Sequence, residues 1–124
     1  MFSHIHFQSI PVADPDRALG FYRDTMGFAV TTDAPYEYGP HKRWIFLEIP
    51  GGQTLLHFGG PRDGAPPKTP NLILITADVD AACDTLTARG ITIVNGPEDA
   101  PWAPGTRWAM IRDTEDNLIL IQTI

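Results

Sequence analysis

The sequence is poor in the features that mark several common classes of protein. It has one cysteine, Cys83, among 124 residues, so no disulfide can form within the chain and a cytoplasmic location is expected. Nine Lys and Arg residues stand against 15 Asp and Glu residues, and the formal net charge is −6. The basic residues are scattered along the chain. Because nucleic acids and anionic membranes bind basic surfaces, we expect neither as a partner.

Other signals are missing as well. No apolar run approaches the length of a membrane span, and the first nine residues, MFSHIHFQS, lack the basic start and apolar stretch of a signal peptide. No serine occupies a nucleophile elbow, no glycine-rich loop follows a strand in phosphate-binding form, and Cys-x-x-Cys is absent. These absences leave few of the common catalytic motifs to consider.

The chain does contain an internal repeat. Asp14 recurs as Asp78, Gly27 as Gly90, Arg43 as Arg107, and the position of His57 holds Leu120, all at offsets of 63 or 64 residues. In each copy the Asp can cap a helix, the Gly can end it, and the Arg opens a hairpin. Four landmarks at the same kind of joint indicate a duplicated unit.

Each copy reads as strand, helix, strand and hairpin. In the first, Asp14 and Pro15 start a helix that buries Ala18, Leu19, Phe21, Tyr22 and Met26, and Gly51 and Gly52 reverse the hairpin. The predicted strands and loops are a strand at 5–12, a strand at 28–32, a loop at 34–41 and a hairpin at 43–58, then a strand at 72–76, a strand at 91–94, a loop at 95–105 and a hairpin at 107–122.

One helix can cover only one face of its own sheet, so the other face must curl around something or meet its twin. The predicted fold is α+β, with two tandem βαβββ modules forming a cupped, barrel-like mixed sheet with helices outside. The modules are 4–59 and 71–124, joined by a linker at 60–70, within a single domain. An interior cleft is expected between the sheets.

The segment IPVADPDRALGFYRDTMGF resembles the opening signature of the vicinal-oxygen-chelate superfamily, which includes glyoxalase I, bleomycin-resistance proteins, fosfomycin-resistance proteins and extradiol dioxygenases. The matching elements are Val12 with Asp14, Ala18 with the Phe21-Tyr22 pair, and the Met26-Gly27-Phe28 exit. The ending RDTEDNLILIQ is similar to the D-P-D-G-N ending of that family, with Thr114 and Asp116 in place of Pro and Gly. The resemblance covers essentially the whole chain and implies paired βαβββ modules.

The resemblance also implies where a metal would bind. Its enzymatic members take His and Glu ligands from the first and last strands of each module, which here are Phe7, Asn71 or Leu72, His57 and Leu120. Only His57 is a metal-ligating type, and one imidazole does not hold a catalytic metal. No metal and no cofactor are therefore expected. A divalent metal is the alternative, if a bulge in the first strand turns His6 inward.

The predicted function is binding of a small organic molecule in an apolar cleft, with homodimers as the expected assembly. The alternative is a metal-dependent lyase of the glyoxalase kind, or a dioxygenase, with a non-standard site that includes His57 as the catalytic candidate. The predicted lining residues are Phe7, Trp44, Phe46, Leu56, His57, Trp102, Trp108 and Leu120.

Several residues have two interpretations. His57 is a cleft residue or a partly exposed strand histidine, and Trp102, in the loop DAPWAPG, is a lid or a surface residue. Trp44 and Trp108 line the cleft or fill the core under their hairpins. Tyr36 and Tyr38 are similar lid candidates.

Arg43 and Arg107 also have two interpretations: they bind an anionic ligand, or they form ion pairs with acidic residues. The pairing partners considered are Glu48, Glu98, Asp113, Glu115 and Asp116. Strand alternation predicts that His4 and His6 point away from the cleft. We expect His41 to be solvent-exposed and Cys83 to be a small core residue.

Overall fold

The computed structural model describes residues 1–124 and divides into two compact units, Met1–Ala65 and Pro66–Ile124. The division falls within the predicted linker 60–70. Each unit holds one copy of the repeat and one four-stranded mixed sheet. Neither helix of the chain has the length and apolar character that a membrane span requires.

The first unit is a four-stranded sheet with one helical segment. Its strands run in the order β1-β4-β3-β2, with β1 parallel to β4 and the other pairs antiparallel. The elements are β1 (Phe7–Ile10), α1 (Pro15–Leu19), which continues as a π-helical segment (Gly20–Thr25), β2 (Ala29–Pro35), a 3-10 turn (Pro40–Lys42), β3 (Arg43–Glu48) and β4 (Leu55–Phe58).

Local signals set the limits of this helical segment. The side chain of Asp14 accepts hydrogen bonds from the backbone N–H groups of Asp16 and Arg17, both at 3.1 Å, and Pro15 takes the first helical position. Gly27 follows the last turn with φ of +81°, the left-handed conformation that favours glycine. The predicted start and end are both confirmed.

One face of the first sheet forms the core. Ile10, Ile45, Leu47 and Phe58 are at most 2% exposed. The ring of Tyr22, in the π-helical segment, lies 5.9 Å from that of Phe58 between centroids, so the helical segment covers this face.

The second unit repeats the arrangement. Its strands run in the order β5-β8-β7-β6, again with one parallel pair, β5 with β8. Helix α2 packs against β6 and β7, is capped by Asp78 and buries Val79, Cys83 and Leu86. The elements are β5 (Leu72–Ile75), α2 (Val79–Ala88), β6 (Ile93–Asp99), β7 (Arg107–Arg112) and β8 (Leu118–Gln122).

The α+β class and the two tandem βαβββ modules are confirmed, but several predicted boundaries are wrong. Strand β6 extends through Asp99 and takes the first half of the predicted loop 95–105, although it contains Gly96 and Pro97. It is an edge strand whose pairing with β7 is interrupted by register shifts, and there a proline costs the sheet no ladder bond. In the first hairpin only Gly51 has a positive φ, so Gly52 does not have the predicted role.

Arg43 and Arg107 form ion pairs, but not with the predicted partners. Arg43 binds Asp16 and Asp33, each at 2.8 Å, whereas Arg107 binds Asp80 at 2.7 Å and Asp99 at 3.2 Å. In both units the arginine at the start of the hairpin joins the first turn of the helix to the preceding edge strand. The repeated arginines therefore hold the helix, the edge strand and the hairpin of each unit together through ion pairs.

A buried polar network closes the second hairpin. Asn117 is fully buried; its Nδ2 donates to Asp113 Oδ2 at 2.7 Å, and its Oδ1 accepts from Asn71 Nδ2 at 2.8 Å. Asp113 Oδ1 accepts from the backbone N–H groups of Glu115 and Asn117, both at 2.8 Å. The Asp113 side chain thus bonds to the backbone of its own turn. The predicted pairing of Asp113 with Arg43 or Arg107 is wrong, because both arginines bind other aspartates.

We expect Asn117→Ala to destabilise the protein by about 2 to 4 kcal/mol, because Asp113 and Asn71 each lose a buried hydrogen bond. Urea unfolding followed by circular dichroism measures the change. Thr114→Ala, an exposed position on the same turn, is the control and should change stability by less than about 0.5 kcal/mol. Equal stabilities for the two variants would contradict the structural role of the network.

Candidate functional site

Strand alternation brings four rings to the face of the first sheet opposite the helical segment. Phe46 lies directly across from His57 in the β3–β4 pair, and Trp44 and Phe7 are on the same face by their strand positions. We call Phe7, Trp44, Phe46 and His57 the aromatic face. Leu56 was predicted to line the site with them, but it alternates with His57 on β4 and lies on the opposite, core face.

His57 lies at the centre of the aromatic face. Its ring centroid is 4.8 Å from that of Trp44, 5.0 Å from Phe46 and 5.4 Å from Phe7. His57 and Phe46 are each 5% exposed, whereas Phe7 is 36% exposed and Trp44 is half-buried. His57 is therefore a buried imidazole among rings and not a partly exposed strand residue.

The two ring nitrogens of His57 have different surroundings. Nδ1 lies 2.7 Å from the hydroxyl oxygen of Ser9, its neighbour across the parallel β1–β4 pair. Nε2 is buried with no hydrogen-bond partner. A neutral imidazole carries one N–H donor and one acceptor nitrogen, so Nε2 has the opposite hydrogen-bonding role to the one that Nδ1 takes with Ser9.

Burial also affects the charge of His57. Removal of the ring from water disfavours the imidazolium and lowers the pKa of His57 below its ordinary value of 6.5. The neutral form is favoured near neutral pH. A neutral imidazole among aromatic rings suits an uncharged, largely apolar ligand.

A pocket of about 320 Å³ adjoins one end of the aromatic face. It is lined by Ala34, Pro35, Tyr36 and Trp44. The rings of Tyr36 and Trp44 are 5.4 Å apart, and Tyr38, which is 82% exposed, lies 6.0 Å from Tyr36. The two tyrosines predicted as lid candidates therefore extend the row of rings outward from Trp44.

Two other histidines of the first unit, His6 and His41, differ from expectation. His6 precedes β1, so strand alternation does not direct it away from the aromatic face, and its ring lies 6.4 Å from that of Phe46. His41 is half-buried, and its Nε2–H donates to the backbone oxygen of Val12 at 2.8 Å. His41 thus fastens the 3-10 turn to the segment after β1 instead of being simply exposed.

The second unit carries an equivalent face. Trp108, Met110 and Leu120 share it by strand register, and Leu120 pairs directly with Met110. Trp108 is 9% exposed, and its ring lies 5.7 Å from that of Trp102. The structure therefore brings Trp102 and Trp108 together, with Leu120 on the same face as Trp108.

The residues at the metal positions implied by the resemblance do not fit a metal. In the first unit Phe7 has no donor atom, and in the second Leu120 has none. Strand register makes Asn71 the counterpart of Phe7, because Asn71 adjoins Leu118 as Phe7 adjoins Leu55. Its Oδ1 accepts from the backbone N–H of Leu118 at 3.0 Å. No group of three or more His, Cys, Asp or Glu side chains could hold a metal ion.

Sequence reasoning missed Ser9 as a site residue. It lies two residues after Phe7 on β1 and therefore on the same face, which strand periodicity could have indicated. The parallel register that places it beside His57 is a property of the folded sheet and has no marker in the sequence.

Comparison with protein families and solved structures relates the whole chain to known proteins. The sequence pattern of the Glyoxalase/Bleomycin resistance protein/Dioxygenase superfamily matches residues 2–121. The crystal structure of TnmS3, an antibiotic binding protein from Streptomyces sp. CB03234, is 36% identical, with a TM-score of 0.82 over 98% of this chain and 96% of that one. A superfamily member from Sphaerobacter thermophilus DSM 20745 is 33% identical, with a TM-score of 0.83 over 99% and 98%.

A curated relative is less informative. It is an uncharacterised protein from Mycolicibacterium smegmatis, 33% identical over 84 residues. These residues are 68% of this chain and 65% of that protein, so the match spans slightly less than two thirds of the relative's length.

The lowered pKa of His57 predicts a pH dependence of stability. Between the pKa of the folded form and the ordinary value of 6.5, the unfolded chain binds a proton that the folded protein does not. The contribution of His57 to the free energy of unfolding is therefore greatest above about pH 6.5. It falls as the pH drops from about 6.5 to the folded pKa, and it stays constant at lower pH.

An NMR titration of the imidazole resonances should give a midpoint for His57 below 6.5, with His57→Gln identifying its signals. Urea unfolding measures the free energy of unfolding at several pH values. Between about pH 7 and 5, this free energy should depend less on pH in His57→Gln than in His4→Gln. A His57 midpoint at or above 6.5 would show that the ring is solvated or paired with an acid.

Proposed function

Because the chain belongs to the Glyoxalase/Bleomycin resistance protein/Dioxygenase superfamily, we propose that it binds a small, largely aromatic organic molecule on the aromatic face of its first unit. The main support is His57, a buried imidazole with one nitrogen hydrogen-bonded to Ser9 and the other without a partner. Buried polar groups are normally paired, and an unpaired one marks a position where a ligand can complete the set.

The surrounding rings favour an uncharged, aromatic ligand. Phe7, Trp44 and Phe46 offer edges and faces to a flat apolar molecule, and the pocket beside Trp44 has room for a substituent. No charged side chain lines that pocket, and Arg43 is occupied by two carboxylates. A ligand anchored by its charge has no partner there, whereas an uncharged ring system with one polar atom at its edge does.

The relation to TnmS3 supports the same function. That protein is an antibiotic binding protein, and its likeness to this chain is 36% identity over nearly the full length. We infer that the ligand of this chain is likewise an antibiotic or a compound of similar size, held without being chemically changed. The single cysteine further supports a cytoplasmic location, and the resemblance described above supports a homodimer. Light scattering would test the homodimer.

Binding is expected to depend on Trp44. From a panel of bleomycin, tetracycline and ciprofloxacin, at least one compound should raise the melting temperature, and Trp44→Ala should weaken its binding about fivefold or more through the lost ring contact. Isothermal titration calorimetry measures the affinity. The matched control is Ile49→Ala, an exposed apolar residue just beyond β3, which should leave it unchanged. If no compound binds, or both variants bind equally, the proposed site is wrong.

We also propose that binding requires no metal, since Phe7 and Leu120 offer no donor atom and Asn71 Oδ1 is already bonded. Elemental analysis of the purified protein should show no stoichiometric nickel, zinc, iron or manganese, and treatment with EDTA should leave the affinity unchanged. A stoichiometric metal whose removal abolishes activity would instead favour the alternative, a glyoxalase-like lyase or a dioxygenase using His57.

A further inference from the structure

The side chain of His57 has one hydrogen-bond partner, and that partner is a hydroxyl group. Ser9 Oγ lies 2.7 Å from Nδ1, whereas Nε2 is buried without a partner. The Ser9 hydroxyl makes no other hydrogen bond within the chain. No charged side chain acts on the imidazole, because burial alone lowers the pKa of His57. The contact with Ser9 is therefore the one polar interaction that bears on which ring nitrogen carries the proton.

A hydroxyl group does not fix the position of that proton, because it both donates and accepts. With the proton on Nε2, the Ser9 hydroxyl donates to Nδ1. With the proton on Nδ1, the same hydroxyl accepts from it, and since Ser9 is exposed, water can accept the hydroxyl hydrogen. A carboxylate or a backbone carbonyl in this place would only accept, and it would hold the proton on Nδ1.

We propose that Ser9 is a positioning residue that leaves the tautomer of His57 to the ligand, so that the site takes uncharged aromatic molecules with either an acceptor or a donor. This inference rests on the proposed function. A ketone binds the form with the proton on Nε2, and a molecule with an N–H or O–H group binds the form with the proton on Nδ1. The conversion moves one proton between the ring nitrogens through solvent, and the imidazole is uncharged in both forms.

Both complexes satisfy the rule that buried polar groups are paired. In each, the ligand completes Nε2 and the Ser9 hydroxyl completes Nδ1 in the complementary role. Access to Nε2 requires that a ring of the aromatic face moves aside. Phe7 is the most exposed of these rings, at 36%, and its centroid lies 5.4 Å from that of His57.

The test uses three flat molecules of nearly the same size. Fluorene has no polar group, 9-fluorenone carries a carbonyl acceptor, and carbazole carries an N–H donor. Wild-type protein should bind both polar compounds about three- to tenfold more tightly than fluorene, the effect of one added hydrogen bond. Isothermal titration calorimetry measures the three affinities.

NMR on the unaltered protein reads the tautomer directly and does not depend on how a variant folds. Long-range ¹H–¹⁵N spectra distinguish a protonated ring nitrogen from an unprotonated one. They should place the proton of His57 on Nε2 in the complex with 9-fluorenone and on Nδ1 in the complex with carbazole. A purely structural role of Ser9 predicts no such change.

Two variants separate the role of the hydroxyl from its size. Ser9→Asp supplies a carboxylate that only accepts, so at about pH 9, where the imidazole is neutral, the proton stays on Nδ1 and Nε2 can only accept. This variant should keep the preference for carbazole over fluorene and lose the preference for 9-fluorenone. Ser9→Thr retains a hydroxyl and should keep both preferences under the same conditions.

The proposal is overturned if His57 carries its proton on the same nitrogen in both complexes, if wild-type protein prefers only one of the polar compounds, or if Ser9→Asp still prefers 9-fluorenone to fluorene. Equal binding of all three compounds that is lost in Trp44→Ala would overturn this inference and support the proposed function. Binding of none of them would count against both.

Discussion

Each unit of this protein has only one helical segment to cover a four-stranded sheet with two faces. The rest of the structure depends on this constraint. A helical segment covers one face, where Ile10, Leu47 and Phe58 are buried in the first unit. The other face has no helix of its own; it is the aromatic face in the first unit and carries Trp108, Met110 and Leu120 in the second. The residues available for ligands are therefore those that strand alternation directs away from the helical segment.

The two repeats share their helix caps, ion pairs and core face, which together we call the frame, and they differ on the face opposite the helical segment. Arg43 and Arg107 tie hairpin, edge strand and helix together with equivalent aspartates in the two units. At the position that holds His57 in one unit, the other holds Leu120. The frame tolerates such changes because it depends on caps, ion pairs and the core face, none of which involves these side chains.

The superfamily fold is retained here, whereas at three of the four implied metal positions Phe7 and Leu120 have no donor atom and Asn71 Oδ1 is already bonded. His57 Nε2 and Trp108 Nε1 are both buried without a partner, and each lies on the face opposite the core of its own sheet. The ring of His57 lies among those of Phe7, Trp44 and Phe46, and the ring of Trp108 lies beside that of Trp102.

The sequence by itself determined the βαβββ repeat, the helix caps at Asp14 and Asp78, and the face occupied by His57, because each follows from local backbone chemistry or a period of two. It misplaced Leu56, since neighbours on a strand cannot share a face, and it read Gly96 and Pro97 as loop because an edge strand tolerates residues that a central strand excludes. Only the tertiary structure decided that Ser9 bonds His57, that Asp16 and Asp80 receive the arginines, and that Trp108 lacks an acceptor. Those contacts join residues distant in sequence, and their geometry depends on strand register and packing, which leave no local signal.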